Sequence, residues 1–598
     1  MSAASPALNA GLLVNCSITV DGEALDTGRL VSVETWTEAN RIPRARIVFY
    51  DGEPDNGVFP LSESDSFAPG KKIEIAVGYS GDSAVIHNGV VVRHSVRILP
   101  GASSQLVVET ADPLLKMTAS RNSAITPSTT DSALIATLIQ NGGGTVGTNK
   151  AATDQHEALV QYHASDWDLL LIRAEASGCV VVTADSKVDI IAPTTKTTPL
   201  LSLEYGDSLI SFEASVDAAS QYAQASIKSR SWGYSDQKIA EGAASSADVE
   251  VPGNFKSSTL AEVLGVAEAL QQSGALIAAD QLAGWSTARL MRARLSQYRG
   301  TARFQGSALV KPGAFVTLAG LGERFNGDAF VGGVRHVVRD GGWETFVDLG
   351  MAPEAFASQN PAIAAPPAAG LTPPVQGLHI GQVKQVAQDP TGDVRVLVTM
   401  PLVGGDNGIW ARLASPYASK TFGIGFWPEV GDEVLLGFME EDPAFPVILG
   451  GLYSAARAPT YPPNDANDKK AIVTRSKMEI TFDDKDIVLE IKTPGNRKVR
   501  LDDKAKIVEI SDPFGNKMTM EQDKVAITAA AELHLTSGTD MKITAGANLT
   551  VKAALKCAIS ALEIAAAADT KLSLSGQAVG ELKSSGMLTI AGALVKIN

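Results

Sequence analysis

Between Val525 and Ile559 apolar residues recur every eight positions on two phases. Val525, Leu533, Met541, Leu549 and Cys557 form one phase; Ile527, Leu535, Ile543, Val551 and Ile559 form the other, two residues on. Each pair reads x-apolar-x-apolar-x, the pattern of a short strand with one buried face. Gly, Ala, Ser, Thr, Asp and Asn fill the gaps, as turns require, and Gly538 and Gly546 share the step. Repetition on two phases marks an internal repeat. One such ribbon cannot enclose a core, because its apolar residues are small and few per turn. Identical chains wound about a shared axis would bury that face. The alternate positions Lys524, Thr528, Thr536, Lys542, Thr544 and Lys552 are polar and face outward. The flanks at 472–520 and 562–598 keep the strand alternation but not the step of eight, which predicts wider or irregular turns there.

A chain of 598 residues exceeds a single core, so three or more domains are expected. Charged residues at 20% and apolar residues at 45% are ordinary for a globular protein, while 6% aromatics and 54 glycines lean towards β-structure with many turns. A net charge of −15 disfavours nucleic acid and anionic membranes as partners. Cys16, Cys179 and Cys557 are widely spaced and suggest neither a disulfide framework nor a metal knuckle. Met1 to Val14 has no positive side chain and no long apolar run, so a chain made in the cytoplasm without a signal peptide is expected.

In chain order, residues 11–120 alternate in short runs closed by Asp21-Gly22, Asp51-Gly52 and Gly78, which predicts a barrel or sandwich. Ser132 to Gln140 reads as a helix ending at Asn141-Gly142. A second helix starts near Ser165-Asp166, either of which can cap it, and runs to Gly178. Residues 258–298 read as helix, breakable at Gly265, Gly274 and Gly284, before strands resume from Gly300 to Leu349. A Pro/Ala-rich, semi-rigid linker follows at 352–376. The five strands of 377–453 fit a small barrel of the oligosaccharide/oligonucleotide-binding (OB) type. A second linker, 454–471, carries Pro459, Pro462 and Pro463 ahead of the repetitive region, 472–598.

The barrel blocks carry a resemblance. Gly377-Leu378-His379-Ile380-Gly381-Gln382-Val383, Pro428-Glu429-Val430-Gly431-Asp432-Glu433-Val434 and Asp442-Pro443-Ala444-Phe445-Pro446-Val447-Ile448-Leu449-Gly450 resemble, in this order, the spike module of contractile injection systems. The chain looks like the valine-glycine repeat protein G (VgrG) family of type VI secretion, itself similar to a phage hub fused to the phage central spike. Gln161 to Leu170, Lys311 to Val316 and Gly333-Val334-Arg335-His336 resemble that family's hub blocks.

The resemblance implies a mainly β protein. Its hub (1–351) would hold two β-barrel-like domains with helical insertions, followed by an OB-fold collar and an intertwined, trimeric triple-stranded β-helix. It implies a structural homotrimer that joins a sixfold inner tube and baseplate to a threefold, membrane-puncturing needle. The ten repeat residues named first would form the needle core. A proline-alanine-alanine-arginine (PAAR) type tip protein would sit on the blunt end, Leu594, Val595, Lys596, Ile597 and Asn598, with effector cargo as a further partner. The particle would be phage tail-like and meet its target membrane only on firing, with release from the cell as an alternative. Phage tail, type VI apparatus, extracellular particle and membrane-anchored variant all remain open.

Two rival readings are an enzyme-bearing, peptidoglycan-degrading spike and a receptor-binding trimeric tail fibre. Some 20 residues between barrel and repeat leave no room for a muramidase, and no Gly-x-Ser-x-Gly, His-Glu-x-x-His or P-loop occurs. A fibre head would be rich in aromatics, yet the last Trp is Trp427. Catalytic, metal and cofactor residues are therefore not expected. His534 has outward parity and no His follows it. His87 and His94 fall on opposite faces of one strand, and His336 is expected to pack. The run Asp483-Asp484 with Asp486 reads as a solvated loop, and Cys557 as a small apolar residue. The barrel, with few aromatics that read as exposed and with Glu429, Asp432, Glu433, Glu440, Glu441 and Asp442 about it, reads as a collar rather than a nucleic-acid site.

Overall fold

Lys72-Ile73-Glu74-Ile75-Ala76-Val77 shows how the first third folds: it becomes the strand Lys72–Tyr79, with Ile73, Ile75 and Val77 buried beneath Glu74 and Ala76. The computed structural model describes residues 4–9, 11–100, 103–193, 197–247, 249, 251–404 and 406–597. They fall into two compact units, Met1–Leu452 and Tyr453–Asn598.

In the first unit one thirteen-stranded sheet carries two cores. Ile18, Ile47, Phe49, Ile73, Ile75 and Leu106 build one; Leu203, Phe304, Val316, Val331 and Val347 build the other. The long strand Gly327–Arg339 joins them. Its first residues pair with Phe315–Ala319, and its remainder lies between Gly342–Leu349 and Leu30–Glu38 (Val334↔Thr37, Val338↔Val33). The two barrel-like halves expected of the hub are thus two cores of one continuous sheet.

The helical insertions carry cores of their own. Helices Asp131–Asn141 and Asp166–Ala176 bury Ile135, Ile139, Leu170 and Leu171 against Val181, Val188 and Ile190. Ser165 is the cap of the second, its hydroxyl accepting the Asp168 N–H at 3.1 Å. The 258–298 expectation needs correction. Helix Ser257–Leu264 stops at Gly265, which is left-handed (φ 57°). Ala269–Ser273 is then a strand, parallel to Ile227–Gly233, and Ala279–Ser296 runs unbroken through Gly284. A sheet edge offering main-chain partners outweighs the helix propensity of Ala269-Leu270-Gln271-Gln272.

The 352–376 segment is not a free linker either. Met351 N–H donates to the Leu295 carbonyl, Phe356 N–H to both Glu175 carboxylate oxygens, and Val375 N–H to the Glu441 carbonyl. Arg121 donates to the carbonyls of His163 (2.8 Å), Ile363 (2.7 Å) and Ala362. A guanidinium holds several donors in a rigid fork, so one side chain pins two chain segments.

The OB-type unit is a closed barrel in the order His379–Gln385, Val396–Thr399, Ile409–Leu413, Pro446–Gly451, Glu433–Phe438. Val383, Val396, Val398, Ala411, Val434, Leu436 and Ile448 fill it.

In the second unit, residues 469–528 form a sheet within one chain. Seven short strands, from Lys469–Val473 to Val525–Thr528, form an antiparallel meander of a single chain. Left-handed residues at Lys477, Ile487, Asn496, Lys506 and Gly515 mark its turns, spaced ten, nine, ten and nine apart. Of the two alternatives expected for this flank, wider or irregular turns, these steps are the wider one. After Thr528 no described residue is in a strand, and the chain instead bends at 530/531, 538/539, 546/547 and 554/555. Bends resume at 569/570, 577/578, 585/586 and 593/594. The step of eight therefore extends to the end of the chain with one seven-residue slip in the Ala565–Ala568 stretch, correcting the expectation that it fails after residue 562. Leu572/Leu574, Gly580/Leu582 and Leu588/Ile590 are its later pairs.

Candidate functional site

Strand register makes one face of the meander a continuous apolar ladder. Ile480 lies beside Ile491, Ile491 beside Val499, Val499 beside Ile510, Ile510 beside Met518 and Met518 beside Ile527. The opposite face is charged: Glu490 beside Arg500, and Arg500 beside Glu509, with Lys517–Glu509 at 2.8 Å and Arg500–Asp502 at 2.7 Å. The apolar face stays half-open; Phe482, Ile491 and Ile510 are each about half exposed.

Beyond Thr528 exposure rises. Of the ten repeat residues, Val525, Ile527, Leu533, Leu535, Met541, Ile543, Leu549, Val551 and Ile559 are all more than half exposed, and Cys557 is exposed too. A single chain brings none of them together. Leu594, Val595, Lys596 and Ile597 are likewise exposed; Asn598 lies outside the described residues.

The acidic run is matched by lysines: Asp483–Lys469 at 3.1 Å, Asp484–Lys470, and Asp486–Lys504 at 3.0 Å. Histidines take local partners. His87 is buried against Thr110 (2.8 Å), and burial pushes its imidazole down to about 4. His94, on the same strand, meets Ser62 at 2.7 Å and the Phe67 carbonyl at 3.1 Å. His336 is buried against Thr345 (3.0 Å) and is also pushed down to about 4. His534 lies 3.0 Å from Glu532 in the open. Burial raises the Cys16 thiol to about 11 and Cys179 to about 12. Among the described residues no group of three His, Cys, Asp or Glu side chains is placed to hold a metal, and no helix is long and apolar enough to cross a membrane.

Two features escaped the sequence reading. A cleft of about 1780 Å³ in the first unit is lined by Trp36, Arg44, Arg46, Glu213, Arg299 and Asp348 among others. Its residues are scattered over the first 360 positions, so no local motif announces it. The second feature corrects the view of the barrel as poor in exposed aromatics. Between Leu413 and Glu433 the chain folds into an ordered hairpin: Ala418 bridges Gly423, Ile424 N–H donates to the Tyr417 carbonyl, and the Ser415 hydroxyl donates to the Ile424 carbonyl. It holds Tyr417, Phe422, Phe426 and Trp427 in the open, with the Tyr417 and Phe422 rings 5.8 Å apart. The outer wall of the barrel is apolar as well, at Leu378, Ile380, Leu435, Val447 and Leu449. Both parities of Glu433-Val434-Leu435-Leu436-Gly437 and Pro446-Val447-Ile448-Leu449 are apolar, a signal readable in the sequence.

Two family models match the chain: the "Alg8 N-terminal domain" over residues 10–340 and the "Type VI secretion system/phage-baseplate injector OB domain" over 379–453. Among solved structures, a 43 kDa tail protein of prophage MuSo2 from Shewanella oneidensis is similar at 12% identity, covering 57% of this chain and 99% of that one (TM-score 0.42). An E. coli type VI secretion component, described as similar to bacteriophage T4 tail proteins gp27 and gp5, has 14% identity over 73% of this chain and 99% of its own (TM-score 0.36). A Francisella PdpA–VgrG complex has 8% identity over 87% and 80% (TM-score 0.36).

Proposed function

Because the chain belongs to the Alg8 N-terminal domain family over residues 10–340 and carries an injector OB domain of the type VI secretion/phage-baseplate kind at 379–453, we propose that it is the structural spike of a contractile, phage tail-like injector. It works as a homotrimer. Residues 1–351 form the hub on the inner tube and baseplate, 377–453 the collar and 472–598 the needle.

One observation carries this reading: some seventy residues of regular repeat have no strand partner in their own chain and expose both apolar phases. Unpaired main-chain groups and an open apolar stripe are costly to leave so. Three interwound copies meet both needs, since every strand gains neighbours and Val525 to Ile559 turn to the axis. A needle without open edges carries axial load as it crosses the target membrane, and its outer Lys and Thr keep it in solution beforehand.

Its role is mechanical, not catalytic. Near the blunt end, Leu594 to Asn598 form the seat of a PAAR-type tip protein, and cargo travels with the spike. Sedimentation of the full chain at micromolar concentration is expected to give three copies, with dissociation only on strong heating. A single-chain mass would overturn the reading.

A further inference from the structure

The barrel presents two apolar surfaces that stay exposed among the described residues. One is the hairpin, an arm with Tyr417, Phe422 and Phe426 each more than half exposed. The other is the outer wall, where Leu378 and Leu449 flank Gly437. Gly437 leaves that wall a dent: a Cβ built there would meet Leu449 at 3.4 Å and Leu378 at 4.0 Å. Apolar strands on both faces of a small barrel call for a cover.

Charge marks the same two places with opposite sign. Lys420 sits at the turn of the arm, where the described contacts include no carboxylate. Glu440, Glu441 and Asp442 lie just past Met439 after the wall strand Glu433–Phe438; Glu440 accepts the Tyr162 hydroxyl at 2.9 Å, and among the described residues the buried Oε2 of Glu441 has no hydrogen-bond partner.

A ring of three identical chains must use two different patches, each copy giving one and receiving the other. From this geometry we infer that the arm of one copy docks on the barrel wall of the next, with Phe422 over the Gly437 dent and Lys420 beside the acidic turn. The contact closes the collar into a ring and rests on the trimer proposed above.

Cysteine pairs in the full chain test it, in a Cys557→Ser background that removes the exposed native thiol. Phe422→Cys with Leu449→Cys should give dimers and trimers on a non-reducing gel after mild oxidation, where either single variant gives monomer. Co-expressing the two single variants should give dimers, placing the bond between chains. A second pair, Phe426→Cys with Leu378→Cys, guards against poor geometry at the first. If neither pair cross-links while sedimentation still gives three copies, the arm-to-wall contact is wrong and the trimer stands. A fast-migrating monomer bridged within one chain overturns it equally, and a single-chain mass overturns contact and trimer together.

Discussion

His87 and His336 are buried imidazoles without a carboxylate, and desolvation lowers both to about 4 from an ordinary 6.5. The unfolded chain therefore binds protons that the folded hub refuses between pH 6.5 and 4. Stability from these two groups is complete above pH 6.5 and is lost as pH falls through that window, by roughly 3 kcal/mol for each. His336→Gln, which keeps a partner for Thr345, should show a smaller loss of denaturant stability from pH 7 to pH 4.5 than the unaltered chain. An equal loss would remove His336 from the account. The packing role of His336 was legible in advance because Gly333-Val334-Arg335-His336-Val337-Val338 alternates, and the Ser165 cap because Ser-Asp precedes an apolar helical run. The Arg121 clamp was not: its acceptors are main-chain carbonyls as far as 242 positions away, which no side-chain pattern records.

At the scale of elements, two repeats meet at Val525–Thr528, the last strand of the meander and the first of the octads. Alternation predicted strands on both sides of this point, and parity predicted which side chains share a face. What alternation could not supply was the partner. In the meander, turns that recur every nine or ten residues let each strand fold back on the one before. In the octads after Thr528 no described residue pairs with a strand of its own chain, and the trimer proposed above would supply those neighbours from other copies. Parity then has a direct consequence. Leu549→Asp would place three carboxylates on the axis and forfeit about 2 kcal/mol of apolar burial per copy, besides their mutual repulsion. Thr550→Asp, one position away, would face water. The first variant should lose the heat resistance of the trimer, read as the temperature at which the SDS-resistant band disappears, while the second should leave it within a few degrees. Equal sensitivity would refute the inward assignment. The strand Ala269–Ser273 shows the opposite limit, since a tertiary edge there overrode a sequence rich in helix formers.

Across the second unit, repeat length falls from nine or ten residues to eight, and in the proposed needle the shorter step would make a narrower shaft. The slip at Ala565–Ala568 puts small side chains where the phase shifts by one, so in the proposed trimer one layer on the axis would hold no large residue. Continuing the step from Leu588/Ile590 would bring Lys596 and Asn598 to the inward phase, whereas the last apolar pair is Val595/Ile597. Three lysines converging on the axis would repel one another. Leu594, Val595 and Ile597 are exposed and stand off the repeat's phase, and on the proposed reading they would form the apolar surface on which the tip protein docks. Deleting Leu594 to Asn598 should leave the copy number at three, because the Val525–Ile559 layers are untouched, and should abolish co-purification of the tip protein. Retention of the tip by the shortened trimer would move its seat elsewhere, and loss of the trimer itself would show that the last octad holds the needle together instead of merely ending it.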